Sequence, residues 1–462
     1  MARYTLLTGS TGLVGRYFLR DFLQAGHYLA LVVRPHGKAG VEQRVESILQ
    51  HWEQETGELL PRPVVFAGDV AEPSLGLDHD ACRWINQNCD RVLHNAAVLT
   101  FHGSDRQGEP WRTNLQGTKS VLDFCRKVNL KHFHYVSTAY VAGKRNGLVL
   151  EDELDEGQDF RNDYEHCKCL AEKAVRSDDF IDPPTIYRPA VIAGDSKTGY
   201  TSTYHGLSVY LRVISLALAA TPVGPDGRRH TPLKLPLTGD EQWNIVPVDW
   251  VSRTILDLFK NSAAHGKTYH LTPRVPLTTR NLFEAAYSYF NSYGVEFCGA
   301  GSTEQSKETI FDLVYANELS VYRDYELTDP QFDTTNLQRF ARQHPCPDID
   351  HALLHRYWRF GEAHRWGKRR APDPTVPVWA KDLLPDVLNG QGNSRLAELL
   401  KLGMENAKYG LDVVGPGGGQ WEVSKTGRRK AVASPGLPAN GAPVLRLTVK
   451  ELQRVAHAVH AT

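Results

Sequence analysis

This 462-residue chain has only two methionines and seven cysteines. None of the cysteines stands in a paired metal-ligand spacing. Cys167 and Cys169 flank Lys168 in a stretch with a helical pattern, so they cannot both face one ion. They read as small packing residues; no metal site is expected, and a reduced, cytoplasmic protein is. Charge imbalance is also missing: 53 Lys and Arg are matched by 53 Asp and Glu. That leaves no footprint for nucleic acid or for an anionic membrane at whole-chain level. The short basic clusters 368–370 and 428–430 read as solvated loops. The longest apolar run, around Val213–Ala220, is too short to span a bilayer, which leaves peripheral membrane contact open. The residues after Met1 read as a strand feeding a turn, so no signal peptide is expected. No repeat or low-complexity tract is evident, and the length calls for two or three domains.

What is present begins at once. The apolar run Tyr4–Leu7 breaks into Thr8, Gly9, Thr11, Gly12, Leu13 and Gly15, and an amphipathic stretch Arg16–Gln24 follows. A dinucleotide pyrophosphate needs this order: a tight turn, a backbone it can approach, and a helix N-terminus with free N–H groups. A second strand, Tyr28–Val33, ends at Arg34, about twenty residues past the last glycine, where an Asp or Glu suits NAD and an Arg suits a 2′-phosphate. Arg16 and Lys38 add charge to the same place, so NADP(H) is the expected cofactor. The competing reading is that Arg34 merely ends a strand in water.

Strand and helix signals alternate through about the first 270 residues. Apolar runs fall at Pro63–Phe66, Arg91–His94, His132–Val136, Thr185–Tyr187 and Tyr269–Leu271, separated by amphipathic stretches such as Val41–Gln54, Thr118–Val128 and Asp163–Val175. This predicts an α/β, Rossmann-type doubly wound parallel sheet. In such a sheet ligands sit beyond the carboxyl ends of the strands. Asp69 and Val70 are then placed to meet an adenine, and Asn95, Ala96 and Ala97 to let the backbone pass close to the nucleotide.

Thr138, Tyr164 and Lys168 form the candidate catalytic set. Tyr164 and Lys168 are four apart and share one helix face. A free tyrosine titrates near pH 10; a neighbouring ammonium is expected to lower that value and make Tyr164 a usable acid or base. Lys168 is also expected at the nicotinamide ribose, and the Thr138 hydroxyl at the substrate oxygen.

These residues, with the segment Asn114–Thr118, stand in the order of the extended short-chain dehydrogenase/reductases, which the chain resembles over about residues 2–290. Tyr187-Arg-Pro-Ala-Val-Ile-Ala-Gly-Asp-Ser-Lys-Thr-Gly199, Asn244-Ile-Val-Pro-Val-Asp249 and Leu31-Val-Val-Arg34 resemble its thioester-reductase and fatty acyl-CoA reductase branch. Asp329-Pro-Gln-Phe-Asp-Thr-Thr-Asn336 is similar to the C-terminal part of the acyl-CoA reductases. Cys167 replaces the serine commonly found before the family's catalytic lysine. The resemblance implies NADPH-dependent reduction of an acyl-CoA or carrier-protein thioester to aldehyde or alcohol, with Thr138, Tyr164 and Lys168 catalytic. It also implies cofactor contacts from Asn114, Arg188 and Pro189, and a monomer or homodimer. Arg188 and Arg212 double as candidate anchors for a carrier phosphate. The same catalytic set permits an extended-family enzyme acting on a ketone, aldehyde, hydroxysteroid-like or sugar-nucleotide substrate. A non-catalytic dinucleotide sensor is the third reading, against which Tyr164 and Lys168 count.

Residues 1–200 and 241–272 are assigned to the NADP-binding domain, 201–240 and 273–372 to a smaller, partly interleaved α+β substrate part, 373–380 to a linker, and 381–462 to an α/β appendage. The substrate part is rich in aromatics, among them Tyr200, Tyr204, Tyr210, Phe283, Tyr287, Tyr289, Phe290, Tyr293, Tyr322 and Tyr325. They read equally as an acyl channel or as a small-domain core. In the appendage a helix is expected at Ser394–Asn406, strands near Gln420–Ser424 and Pro443–Thr448, and a final helix at Val449–His460. Its Gly-Gly-Gln-Trp421 and Leu445–Leu452 segments resemble part of a sterol-carrier-protein-like lipid-binding module; packing or dimerisation is the alternative role.

Overall fold

The near-continuous apolar runs form strands buried on both faces, as a parallel sheet covered by helices requires. In the computed structural model, β1 (Tyr4–Thr8) has all five residues buried and β2 (Tyr28–Val33) five of its six. With β3 (Val64–Ala67), β4 (Cys89–His94), β5 (His132–Val136) and the strands Thr185–Pro189 and Thr268–Leu271 they make one seven-stranded sheet. Its spatial order is Thr268–Leu271, Thr185–Pro189, β5, β4, β1, β2, β3, parallel throughout. The structure describes residues 3–37, 40–232, 234–299, 325, 328–369, 376–389, 408–425, 431–438 and 442–460. Lys38, Tyr322, the cluster 428–430, the stretch Ser394–Asn406 and part of the 373–380 linker lie outside them.

Helices α1 (Leu13–Gln24), α2 (Val41–Thr56) and the later helix Val248–Lys260 cover one face, with Phe18, Phe22, Trp52 and Phe259 in a shared core. Helices α3 (His79–Asn88), α4 (Gly117–Lys127) and α5 (Asp163–Ser177) cover the other. A second core joins the helices Leu207–Ala220, Thr279–Phe290 and His351–Ala363 around Trp358. The stretch Thr335–Ala341 departs from the expected division. Leu337, Ala341 and Cys346 pack into the core of the nucleotide-binding sheet, not with the substrate part to which 273–372 was assigned.

The C-terminal part is a four-stranded sheet ordered Ala431–Pro435, Gly419–Lys425, Lys408–Val414, Val444–Thr448, packed on the helices Ala380–Asn389 and Val449–His460. Ala380, expected in the linker, is fully buried at the start of a helix. This part docks at the amino end of β1. The Tyr4 hydroxyl donates to Gln420 Oε1 at 2.8 Å and accepts from the Leu437 N–H at 2.9 Å, and Trp84 Nε1 donates to the Pro435 carbonyl at 2.7 Å. These contacts lie at the opposite end of the strands from the loops that would hold a cofactor, while Lys381 reaches along the flank to pair with Glu42 in the first turn of α2.

Candidate active site

At the carboxyl ends of the strands lies a cavity of about 540 Å³. The turn between β1 and α1 forms its floor. Gly9 has φ +71°, and a Cβ there would stand 2.6 Å from the Ala96 nitrogen; one on Gly15 would stand 2.0 Å from the Gly9 carbonyl. Only glycine lets the turn close against the β4 loop and the helix behind it. Gly12 begins α1 with no side-chain cap and no acidic residue in the first turn, and the Ser10 hydroxyl is buried without a partner beside the cavity. Open N–H groups and an orphan hydroxyl at a helix N-terminus suit a pyrophosphate.

Gly9, Thr11, Gly12, Leu13 and Arg34 line the cavity, as do Asp69, Val70, Asn95, Ala96 and Ala97. Thr138, Tyr164, Lys168 and Pro189 line it further along. The remaining expected residues act from behind. The Thr8 hydroxyl accepts from the Asn95 and Ala96 N–H groups, each at 3.2 Å, and so holds the β4 loop to β1. Asn114 clamps Val98 through both backbone atoms, at 2.8 and 3.0 Å. Arg16 reaches the Thr11 carbonyl at 3.2 Å and the Tyr200 hydroxyl at 3.5 Å.

Arg188 corrects the sequence reading. It is fully buried and does not line the cavity: Nη2 meets Glu172 at 2.7 Å and the Glu153 carbonyl at 2.7 Å, and Nη1 meets His270 Nε2 at 3.1 Å. Alternation along its strand sends Pro189 to the cavity and Arg188 into the packed layer. Burial alone would raise the Glu172 carboxyl, but Arg188 beside it holds it down to about 2. Burial, then Arg188, lowers His270 to about 3. Arg212 does not line the cavity either.

The relation of Tyr164 to Lys168 also differs from expectation. Lys168 Nζ donates to the Tyr135 hydroxyl at 2.7 Å and the Val136 carbonyl at 2.9 Å, pointing toward β5. Burial lowers its pKa to about 8. The Tyr164 phenol lies above its ordinary range rather than below it, because burial outweighs the downward pull of the Thr138 hydroxyl. It is held protonated, the form a proton donor needs.

Sequence reasoning missed three lining or supporting residues. Arg44, in the first turns of α2, donates to the Arg34 carbonyl and reaches Thr11 Oγ1 at 3.5 Å. Burial first, then Arg34 and Arg16, lowers its pKa. None of the three arginines forms an ion pair with a described residue. A basic residue in the helix after an arginine-ended strand is the signal that would have found it. Tyr140 and Asp329 meet at the cavity wall, where Asp329 Oδ2 accepts from the Tyr140 hydroxyl and the Asn244 N–H, both at 2.8 Å. Of the aromatics offered as a channel, Tyr210 and Tyr325 line the cavity with Phe101 and Trp243, whereas Phe283, Tyr289 and Phe290 pack in the core around Trp358. Among the described residues, none from 376–460 lines the cavity.

Among known proteins, residues 7–255, more than half of the chain, match the family described as male sterility protein. The fatty acyl-CoA reductase wat of Drosophila melanogaster is 24% identical over 326 residues, covering 61% of this chain and 60% of that one. The aldehyde reductase lnaA of Aspergillus flavus is 25% identical over 388 residues, covering 77% of this chain but 35% of its own length. The chain thus spans less than two thirds of each of these relatives, 60% and 35% of their lengths. Of solved structures, the terminal R domain of the myxalamid PKS-NRPS biosynthetic pathway matches with a TM-score of 0.63 at 24% identity, covering 80% of this chain and 93% of that one. The UDP-glucuronic acid 4-epimerase of Bacillus cereus, solved with NAD, shares the fold at TM-score 0.52 and 17% identity, covering 79% and 98%. Among the described residues no helix is long and apolar enough to cross a membrane. With its glycine turn, parallel sheet and this match, the chain belongs to the male sterility protein family.

Proposed function

We propose that the protein is an NADPH-dependent reductase of acyl thioesters, carried by CoA or by a carrier protein, acting in the cytoplasm. The observation that carries this reading is one continuous cavity. It runs from the arginines at Arg34, past the glycine turn and Thr138, Tyr164 and Lys168, to an end walled by Phe101, Leu207, Trp243 and Ile245. The glycine turn and the N-terminus of α1 would hold the pyrophosphate, Arg34, Arg44 and Arg16 the 2′-phosphate, and Asp69 and Val70 the adenine. NADPH bound there supplies the hydride. Thr138 and Tyr164 hold the thioester oxygen, and Tyr164 gives up its proton as charge develops on it. The resulting hemithioacetal loses its thiol and leaves an aldehyde.

The test is NADPH consumption with long-chain acyl-CoAs, acyl-carrier thioesters, matched aldehydes and simple ketones. Turnover of a thioester, with aldehyde or alcohol in the products, supports the reading and counts the hydrides. Turnover confined to aldehydes or ketones moves the function to the wider superfamily. Arg34→Glu is expected to shift the NADPH-over-NADH preference by about 10–100-fold toward NADH, since it puts a carboxylate where the phosphate would sit. An unchanged ratio places the phosphate elsewhere.

A further inference from the structure

Lys168 is 1% exposed, and both of its hydrogen-bond partners, the Tyr135 hydroxyl and the Val136 carbonyl, are uncharged. An ammonium buried in this way is held by the dipoles that face it. The Tyr135 ring stacks on His94, a member of a hydrogen-bonded chain of side chains, all at most 1% exposed, that ends at the glycine turn. Thr118 Oγ1 donates to the Asn114 carbonyl at 2.7 Å, so toward its side-chain neighbours it can only accept. His94 Nε2, 3.1 Å away, therefore carries the imidazole proton. His94 Nδ1 must then accept, and the Thr8 hydroxyl 2.7 Å away donates to it. Thr8 Oγ1 in turn accepts from Asn95 and Ala96. Tyr135 stacks on His94 at 5.6 Å between ring centroids, and its hydroxyl oxygen accepts from Lys168. Thr118, His94 and Thr8 thus order their protons along one line, and the Tyr135 hydroxyl beside it presents its oxygen to the ammonium. The imidazole stays neutral, since burial and then Lys168 lower it to about 3.

We propose that Tyr135, stacked on His94, is the positioning residue for Lys168: its hydroxyl fixes the ammonium at the cavity wall and favours the charged state there, tying the lysine to the same β4 loop that the glycine turn holds. The proposal rests on the reading that Lys168 serves the bound cofactor. The other titratable groups facing Lys168 are Cys167 and Glu172 on α5 and the neutral His94 on β4, and Glu172 is already committed to Arg188, Arg176 and Ser137. Removing the Tyr135 oxygen leaves the ammonium with the Val136 carbonyl and no replacement.

The test is the NADPH dissociation constant between pH 6 and 10, read by nicotinamide fluorescence on the full chain, for the wild type, Tyr135→Phe and Lys168→Met, with thermal melts alongside. The wild type is expected to lose affinity as pH rises through about 8. Tyr135→Phe is expected to lose it about one pH unit earlier. A merely structural role would move the melts and leave the pH profile in place. A profile for Tyr135→Phe that overlays the wild type, while Lys168→Met flattens the curve, overturns the proposal alone. A Lys168→Met profile identical to the wild type overturns the assignment of Lys168 itself.

Discussion

At the amino end of β1 the hydroxyl of Tyr4 both donates and accepts, and the C-terminal part covers it. At the carboxyl end of the same strand Gly12 leaves a helix uncapped, Ser10 is buried without a partner, and three arginines gather without a carboxylate. The same contrast recurs between two buried cations. Arg188 has Glu172, with Arg176 and Ser137 completing the carboxylate, whereas Lys168 has neutral oxygens. Where the chain completes its own polar groups it is building structure. Where it leaves them open, it is set up to receive something.

Tyr164→Phe probes the open end most sharply. It removes the proton donor and keeps the ring, so turnover should fall about 10²–10⁴-fold with NADPH affinity within about twofold, read by steady-state rates and fluorescence titration. Unimpaired turnover would place the proton donor elsewhere. Arg188→Leu probes the closed cluster. It takes the nearest cation from a buried carboxylate that keeps only Arg176 and Ser137, and chemical denaturation should show a loss of about 3 kcal/mol. Glu172 titrates below its usual value in the fold, so its contribution is complete above about pH 4.5 and fades as pH falls toward about 2; Arg188→Leu should weaken that acid dependence.

Lys168→Met should do the reverse of Arg188→Leu, stabilising the fold at pH 7 by about 1–3 kcal/mol while turnover disappears. The sign follows from a lysine whose pKa is depressed to about 8: the unfolded chain holds its proton longer, so the wild type gains stability as pH rises from about 8 to 10.5. Over that interval the advantage of the variant should close; a gap independent of pH would assign it to packing instead. The smallest effect is reserved for the far end. Gln420→Ala leaves the Tyr4 proton without its acceptor and should cost about 1 kcal/mol with turnover unchanged. A change in kcat there would show that the two ends communicate.

Much of this contrast was readable in advance. Burial on both faces makes the strand runs continuous, and the run His132–Val136 is a strand with the same bounds. The glycine turn was legible because close backbone approach leaves no other residue, and Tyr164 and Lys168 because a helix fixes what lies four apart. The direction of Lys168 Nζ was not. It depends on Tyr135, an ordinary strand residue until β5 lies beside α5. Arg188 misled because its neighbour Pro189 does reach the cavity and a strand sends adjacent side chains opposite ways. Arg44 was hidden by the surface-like pattern of α2, and the role of Asp329 needed Tyr140 and Asn244 to be brought together from 189 and 85 residues away.

The Tyr4–Gln420 hydrogen bond joins residues 416 apart. During synthesis at about 5–20 residues per second, the first strand waits roughly 20–80 s for the segment that completes it. Throughout that interval Tyr4, against whose ring Tyr28 and Trp84 both pack, stands at the ribosome without its cover. The last hundred residues thus decide how long a nascent chain presents an aromatic patch to its neighbours, and a chain cut short before Gln420 would present it permanently.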